Sequence, residues 1–320
     1  MAYAYSRMDG LPTQRFLIDT DTASDDAVAL VLALREPSIT VEVITVVAGN
    51  VPLDNAVQNA LYTRDLCRSA VPVFAGRAAP LVRPLVTAQF VHGEDGMGDI
   101  GLPLHGRAPA AGDAVEVMIE TIVGTPREMT LVALGPLTNV AAALAIEPRI
   151  AQLVRHCFVM GGAGSGTGNI TATAEYNFWA DPEAARVVVR SAMPITMVGW
   201  DMSVRFAAFG PAEAKELAEV GPLGKFCVDI QAKVDVYARE QSGLAGFDLP
   251  DPIAMAVAIE PDIARFEEHH LDVLVGTDRG RDEIDWSDQS GSDQKARITT
   301  DVDRTAFLAM LHKACLNGSA

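Results

Sequence analysis

Cysteine and positive charge are both scarce in this sequence. Its 320 residues include four cysteines, none of them in a CxxC pair, which excludes a disulfide-stapled scaffold and a zinc finger. We expect reduced, mostly buried thiols, as in a cytoplasmic protein. The 25 lysines and arginines are outnumbered by 42 aspartates and glutamates, so the net charge is −17. Because such a surface repels phosphate groups, we expect no nucleic-acid partner and no membrane partner.

Long apolar runs and a leader sequence are missing as well. No run approaches the length that crosses a bilayer, and residues 1–15 lack a charged segment followed by an apolar stretch, which predicts no secretory signal. Internal repeats, low-complexity linkers and breaks in composition are also absent from the sequence. With 49% hydrophobic residues the chain can build a large core, so we predict one domain over residues 1–320 with loop and helical insertions.

Strand-like and helix-like patterns alternate through the first two-thirds of the chain. This alternation predicts an α/β fold: an open, mostly parallel (mixed) sheet with helices on both faces and a Rossmann-like core. In such sheets the ligand lies at the carboxyl ends of the strands, so we expect the active site there. The predicted strands are residues 16–19, 41–48, 129–134, 156–160 and 195–198, and the predicted helices are residues 26–35, 53–68, 137–146 and 182–191.

The last third of the chain is less regular. Residues 211–240 have a helical pattern, and residues 242–250 interrupt it. A further helix is predicted to begin at Asp251-Pro252, because proline is favourable in the first turn. Residues 276–295 are charged and rich in glycine and serine, which predicts a hairpin or a mobile loop.

Four aspartates crowd into eight residues where the first predicted strand gives way to a helix: Asp19, Asp21, Asp25 and Asp26. Carboxylates packed this closely repel one another unless a cation or raised pKa values relieve the repulsion. Oxygen ligands suit a hard ion such as Ca²⁺ or Mg²⁺ better than zinc. In the alternative interpretation Asp25 caps the helix and the other carboxylates are solvated, but capping accounts for only one aspartate.

Several further motifs follow the aspartate cluster in a fixed order. They are Val47-Ala48-Gly49-Asn50, the run from His92 to Gly98, Leu134-Gly135-Pro136-Leu137-Thr138-Asn139, Met160-Gly161-Gly162, Asn169, Glu175-Tyr176-Asn177, Asp181-Pro182-Glu183-Ala184 and Asp251-Pro252. Together with the aspartates, these motifs resemble those of the inosine–uridine nucleoside hydrolase family. The resemblance extends from about residue 16 to the C-terminal helix.

The resemblance implies an enzyme that hydrolyses the N-glycosidic bond of ribonucleosides with water, holds Ca²⁺ and forms homodimers or homotetramers. It implies that Asp21 is also the general base for the attacking water. The implied metal ligands are Asp21, Asp26, Asp251 and the Leu134 carbonyl. The implied ribose-binding residues are Asp25, Asn50, Met160 through its backbone, Asn169, Glu175, Asn177 and Asp251. His92 and Tyr237 correspond to mobile loops over the site.

This chemistry is reasonable on physical grounds. Cleavage of a glycosidic bond passes through an oxocarbenium-like state, so positive charge grows on the sugar as the bond breaks. Carboxylates around the sugar stabilise that state more than the neutral ground state. A divalent cation lowers the pKa of water, and a neighbouring aspartate can take the proton.

Each motif has a simpler interpretation when taken alone. Asn50 and Asn177 have the composition of turn or cap residues, and Glu175 and His92 are residue types that are commonly exposed. Two alternative functions also fit part of the pattern. A haloacid-dehalogenase-type phosphatase places D-x-D after its first strand, but it would require threonine or valine where Ala23 stands. A non-catalytic ribose- or nucleoside-binding protein would not need Asp21 as a base.

One position departs from the family pattern. Family members often carry histidine or tryptophan immediately before the last metal-binding aspartate, where a histidine is thought to protonate the leaving base. This chain has Pro250 there, and proline can neither donate a proton nor stack as an indole does. The departure leaves the metal ligands intact, but it removes the expected acid for the leaving group.

Overall fold

A sheet of eight strands forms the centre of the protein in the computed structural model, which describes residues 13–289 and 295–316. Within those residues the strands are β1 (Gln14–Thr20), β2 (Ile39–Val46), β3 (Val73–Ala75), β4 (Met129–Ala133), β5 (His156–Met160), β6 (Ile195–Val198), β7 (Ala264–His269), β8 (Leu271–Val273), β9 (Asp282–Ile284) and β10 (Ala296–Val302). The sheet order is β3-β2-β1-β4-β5-β6-β10-β7, and every neighbouring pair is parallel except β10 with β7. Strands β8 and β9 form a separate antiparallel pair.

Helices cover both faces of this sheet. Within the described residues they are α1 (Ser24–Arg35), α2 (Leu53–Leu66), α3 (Gln89–His92), α4 (Ala114–Gly124), α5 (Thr138–Ile146), α6 (Ile150–Leu153), α7 (Tyr176–Ala180), α8 (Pro182–Val189), α9 (Trp200–Phe206), α10 (Pro211–Glu219), α11 (Pro222–Asp229), α12 (Ala232–Tyr237), α13 (Pro250–Ile259) and α14 (Arg304–Cys315). A π-helical turn at Ala238–Ser242 and a 3-10 turn at Pro261–Ile263 complete the set. None of the helices in this part of the chain has the length and apolar content needed to cross a bilayer.

The predicted mostly parallel sheet is confirmed. The five predicted strands and four predicted helices are all present, with each end within two residues of its predicted position. Strand β1 has β2 on one side and β4 on the other, so the strand order reverses there. In open α/β sheets a ligand binds outside the carboxyl ends of the strands at such a reversal.

The last third of the chain differs from its prediction in detail. The helical pattern over residues 211–240 is divided into α10, α11 and α12, with breaks at residues 220–221 and 230–231. Within the described part of residues 276–295 there is one strand, β9, and it pairs with β8, which precedes the segment. A hairpin therefore forms, but it begins before the predicted segment; residues 290–294 lie outside the described residues. Strand β10, which lies between β6 and β7, was not predicted.

The core has two apolar layers, one on each face of the sheet. Successive strand residues point to opposite faces, so Phe16 and Ile18 of β1 belong to one layer and Leu17 belongs to the other. Helices α1, α2, α13 and α14 cover the first layer, and α4, α5 and α8 cover the second. Helices α1 and α13 also pack against each other, which brings the aspartates in their first turns together.

A buried amide ties together the carboxyl ends of β1 and β2. Asn139 Nδ2 donates to Asp19 Oδ1 at 2.8 Å and to the Val46 carbonyl at 3.2 Å, and Asn139 Oδ1 accepts from the Arg77 N–H at 2.9 Å. Thr45 Oγ1 donates to the same Asp19 oxygen at 2.6 Å. Burial raises the pKa of Asp19 to about 7, and these two donors oppose the increase. Asp19 therefore links the carboxyl ends of β1 and β2 through its hydrogen bonds with Asn139 and Thr45.

We expect Asn139→Ala to lower the free energy of unfolding by about 2–4 kcal/mol, because it leaves buried polar groups without partners. Urea unfolding followed by circular dichroism measures the change. The matched control is Asn55→Ala, which removes a surface hydrogen bond to the Glu94 carbonyl and should cost less than about 1 kcal/mol. Equal losses in the two variants would show that the Asn139 network contributes nothing beyond an ordinary surface bond.

Candidate active site

A pocket opens at the carboxyl ends of the parallel strands. Asn50 reaches it from the turn after β2, Met160 from the end of β5, and Trp200 from the start of α9. The first turns of α1, α7 and α13 supply further walls. The lining residues are Asp25, Asn50, Ala88, Phe90, Val91, His92, Met160, Asn169, Ile170, Glu175, Tyr176, Asn177, Trp200, Val234, Tyr237, Ala238, Asp248, Pro250 and Asp251.

Three buried carboxylates meet beside this pocket, and two of them, Asp25 and Asp251, line it. Asp25, Asp26 and Asp251 each place one oxygen within 4.8 Å of the other two. Burial raises the pKa of Asp25 and of Asp26 to about 7. Burial, together with the charges of Asp26 and Asp25, raises the pKa of Asp251 well above its usual range. The ionised cluster is therefore unstable by itself, and its oxygen-only donors fit a hard cation.

Asp21 lies beside this cluster between two glycines. Its Oδ2 accepts from the Asn50 N–H at 2.6 Å, and its Oδ1 is buried without a hydrogen-bond partner among the described residues. A Cβ atom at Gly49 would lie 2.1 Å from Asp21 Oδ2, and one at Gly135 would lie 2.6 Å from Asp21 Oδ1. The glycines of the motifs at 47–50 and 134–139 are therefore needed because both turns close on this carboxylate. Burial, then the charge of Asp26, raises the pKa of Asp21 well above its usual range.

The start of α1 decides between the two interpretations of the aspartate run. Asp26, not Asp25, closes the first turn: its Oδ2 accepts from the Ala23 N–H at 3.0 Å, and its Oδ1 accepts from Thr20 Oγ1 at 2.6 Å. All four aspartates of the run are buried, so the alternative of one cap and three solvated carboxylates is wrong.

Glu175 and Asn177 form a second buried polar group. Glu175 Oε1 accepts from the Asn177 N–H at 2.7 Å, and its Oε2 accepts from the Gly162 N–H at 2.9 Å. Burial raises the pKa of Glu175 to about 7, and the backbone donors oppose the increase. Asn177 Nδ2 donates to the Leu134 carbonyl at 2.7 Å, while Asn177 Oδ1 has no partner in the described structure. The interpretation of Glu175 as an exposed surface residue is therefore wrong.

His92 is buried rather than exposed, which corrects the simpler interpretation of its glycine-rich segment. It ends α3, and its Nδ1 lies 2.9 Å from Ser24 Oγ and 3.7 Å from Asp25 Oδ1. Burial lowers the pKa of His92 to about 4, so the imidazole is neutral near pH 7. Tyr237 ends α12 and makes an edge contact with Phe90, with 5.7 Å between ring centroids.

Sequence reasoning missed several lining residues, among them Asp248 and Trp200. Asp248 lies in the irregular segment before α13, and its Oδ2 accepts from Trp200 Nε1 at 3.0 Å and from Ser203 Oγ at 2.7 Å. Burial raises the pKa of Asp248, and these donors oppose the increase. Trp200 follows β6, so the carboxyl-end rule could have identified it. Nothing in the sequence distinguishes Asp248 from an ordinary turn aspartate.

The predicted site residues fall into two groups. Those that line the pocket are Asp25, Asn50, His92, Met160, Asn169, Glu175, Asn177, Tyr237 and Asp251. Asp21, Asp26 and Leu134 are not lining residues, but each is hydrogen-bonded to, or clustered with, a residue that is. Asn169 Oδ1 accepts from the Tyr176 N–H at 2.8 Å, which ties its segment to α7.

Comparisons with known proteins agree over nearly the whole chain. Residues 16–309 match the family described as inosine-uridine preferring nucleoside hydrolase. The chain is 34% identical over 308 residues to the pyrimidine-specific ribonucleoside hydrolase RihB of Escherichia coli, covering 95% of this chain and 97% of the relative. The solved plant nucleoside hydrolase PpNRh1 superposes with a TM-score of 0.91 at 29% identity, covering 96% of this chain and 100% of that one. A purine-preferring ribonucleoside hydrolase from Gardnerella vaginalis gives a TM-score of 0.88 at 30% identity, covering 94% and 98%.

The family match at residues 16–309 spans the sheet, the carboxylate cluster and the pocket. The matches favour glycosidic hydrolysis over the phosphatase alternative, which only the D-x-D after β1 supported. The chain belongs to the inosine-uridine preferring nucleoside hydrolase family.

Proposed function

We propose that this protein hydrolyses the N-glycosidic bond of ribonucleosides to the free base and ribose. The observation that carries the proposal is the convergence of buried carboxylates on one pocket at the carboxyl ends of the strands: Asp21, Asp25, Asp26, Glu175 and Asp251. Such a basin stabilises a sugar that gains positive charge in the transition state. Its negative charge also disfavours substrates that carry phosphate.

The cation in this proposal is Ca²⁺, which prefers flexible all-oxygen coordination. Asp21, Asp26, Asp251 and the Leu134 carbonyl would hold it, and the partnerless Asp21 Oδ1 supports this assignment. Asp25 lies in the same acidic cluster and also lines the pocket, so we assign it to the ribose. When bound, the cation lowers the pKa of water and orients the ribose diol.

Asp21 is the proposed general base. The Asn50 N–H occupies its Oδ2, and Gly49 and Gly135 close on both oxygens, so the carboxylate has one position. Because Oδ1 is assigned to the cation, the second lone pair of Oδ2 is left to accept a proton from the attacking water. A base held in one geometry loses little entropy when the reaction begins.

The remaining polar residues are assigned to the ribose hydroxyl groups. Asparagine side chains both donate and accept hydrogen bonds, and carboxylates accept them. Together they can pair with the donors and acceptors of the ribose hydroxyl groups. Backbone and side-chain bonds orient these residues before any substrate arrives. They are Asp25, Asn50, Asn169, Glu175, Asn177 and Asp251, with the backbone at Met160.

Departure of the base is assigned to groups other than residue 250. Pro250 lines the pocket at the first position of α13 and has no proton to give. His92 and Tyr237 line the same pocket and carry exchangeable protons, so they are the proposed partners of the leaving base.

We propose in addition that the chain acts as one domain in the cytoplasm and assembles as a homodimer or homotetramer. Free, buried thiols at all four cysteines agree with a reducing compartment.

Added Ca²⁺ should stabilise the chelator-treated protein, and the gain in Tm should grow as the pH rises from about 5 to about 7.5. The folded-state pKa values of Asp25 and Asp26, about 7, lie above those of the unfolded chain. Without a cation, folding therefore favours bound protons, and this stability is lost as the pH rises through 7. Thermal melts with Ca²⁺ or chelator measure the difference. Asp26→Asn should reduce both the gain and its pH dependence, and a gain that is absent or independent of pH would refute the assignment.

Asp21→Asn keeps the shape of the side chain but removes its basicity, so kcat should fall about 100-fold or more. Initial rates of ribose release measure the effect, and elemental analysis shows whether the variant keeps its cation. Asp19→Asn is the matched control, because Asp19 is equally buried but accepts hydrogen bonds from Thr45 and Asn139, neither of which lines the pocket. The control should lose stability and keep its turnover. If Asp21→Asn turns over within a few-fold of the unmodified protein, another group activates the water.

The pocket should reject 2′-deoxynucleosides. Removing a hydroxyl group leaves buried polar groups of the ribose site unpaired, and each loss costs on the order of 1–3 kcal/mol. We therefore expect kcat/KM for 2′-deoxyuridine to be about 10- to 100-fold below that for uridine, measured as release of reducing sugar. Comparable values for the two substrates would contradict the assignment of these residues to ribose.

A further inference from the structure

One carboxylate that lines the pocket is assigned neither to the ribose nor to the cation. Asp248 lines the pocket and is 8% exposed. Two donors hold its Oδ2, Trp200 Nε1 at 3.0 Å and Ser203 Oγ at 2.7 Å. No other described residue donates a hydrogen bond to its Oδ1. The backbone N–H of Asp248 itself also stabilises the carboxylate, and Oδ1 is the oxygen that remains able to accept a hydrogen bond from a ligand.

The backbone of Asp248 is fixed as firmly as its side chain. An isolated antiparallel bridge joins it to Ala208, because Phe209 N–H donates to the Phe247 carbonyl at 2.8 Å and Leu249 N–H donates to the Ala207 carbonyl at 3.1 Å. The two side-chain donors are three residues apart on α9, so they lie on one face of that helix. Such anchoring from several directions is what a precise recognition group requires.

The pocket that Asp248 lines offers contacts for a flat heterocycle, and Asp248 also lies near enough to Asp25 and His92 for its charge to oppose a lower pKa at both. Part of the pocket wall is apolar or aromatic, which favours the face of a base: Phe90, Val91, Ile170, Trp200, Val234 and Pro250. The carboxylates and asparagines assigned to ribose supply the polar part of the same pocket. Tyr237, also a lining residue, can donate to a carbonyl oxygen of the base.

We propose that Asp248 is a specificity-determining residue, whose Oδ1 accepts a hydrogen bond from the ring N–H of the nucleobase. This inference rests on the proposed function and names the part of the substrate that this residue reads. Uracil and hypoxanthine carry a ring N–H beside a carbonyl group, whereas cytosine and adenine carry a lone pair at the corresponding nitrogen. Asp248 therefore favours the first pair of bases, because an acceptor cannot pair with a lone pair.

Asp248→Asn reverses the hydrogen-bonding character of this position with little change in shape. Trp200 Nε1 can only donate, so it holds the new amide oxygen where Oδ2 lies now and turns the amide NH₂ toward the pocket. In this variant the pocket offers the base a hydrogen-bond donor, the amide NH₂, in place of the acceptor Oδ1. The ratio of kcat/KM for uridine to that for cytidine should fall by about 10-fold or more, and the inosine-to-adenosine ratio should fall in the same direction.

A nitrophenyl riboside provides the internal reference, because its leaving group has no N–H. Its kcat/KM should change less than about threefold in Asp248→Asn. The matched control is Asp201→Asn on α9, the helix that carries both donors to Asp248, because Asp201 binds Ser165 and does not line the pocket. It should leave both base ratios unchanged. Ser203→Ala, which removes one of the two donors to Asp248, should lower the ratios by a smaller factor, and it serves if Asp248→Asn does not fold.

The outcomes separate recognition from structure. Base ratios that stay within about threefold of the unmodified protein, or that move toward uridine, would overturn the proposal. A nitrophenyl riboside that loses as much activity as uridine would assign Asp248 a structural role instead. If the unmodified protein released ribose from none of these substrates, the proposed function itself would fail, which is a different result from an unchanged ratio.

Discussion

Electrostatic repulsion among buried carboxylates is the constraint on which this site depends. Asp25, Asp26 and Asp251 meet within 4.8 Å at the start of two packed helices, and Asp21 lies beside them with one oxygen unpaired. Folding places these groups together although their charges oppose it. In the proposed function a cation would relieve this repulsion at neutral pH, and the remaining negative charge would stabilise a sugar that becomes positive in the transition state. The proposed stabilisation by a cation and the proposed catalysis therefore both depend on the close packing of these carboxylates.

The scaffold holds this unfavourable cluster by close packing. The reversal of strand order at β1 leaves space at one edge of the sheet, and the turns after β2 and β4 close on Asp21 through Gly49 and Gly135. Below them, Asn139 joins Asp19 to the end of β2. The packed apolar layers on both faces of the sheet hold these turns in place. The turns in turn keep the carboxylates close together.

Much of the fold could be predicted from the sequence, because β1, β2, α1 and α2 carry regular apolar patterns and end at recognisable turns. The aspartate run and the glycine turns likewise indicated the acidic cluster. Strand β10 was missed because charged and half-buried residues interrupt its apolar pattern, among them Arg297 and Asp301. Asp248 was missed because a tertiary bridge to Ala208, and not any local pattern, places it in the pocket. The burial of His92 also depends on distant elements that pack around α3.

Crystallography with Ca²⁺ shows whether the crowded carboxylates form one cation site. Crystals grown with Ca²⁺ should show one strong peak with oxygens of Asp21, Asp26 and Asp251 and the Leu134 carbonyl at about 2.3–2.6 Å. The ion should disappear after chelation, while the turns at Gly49 and Gly135 keep their positions. A cluster that stays empty at millimolar Ca²⁺, or a peak bound by other residues, would contradict the account.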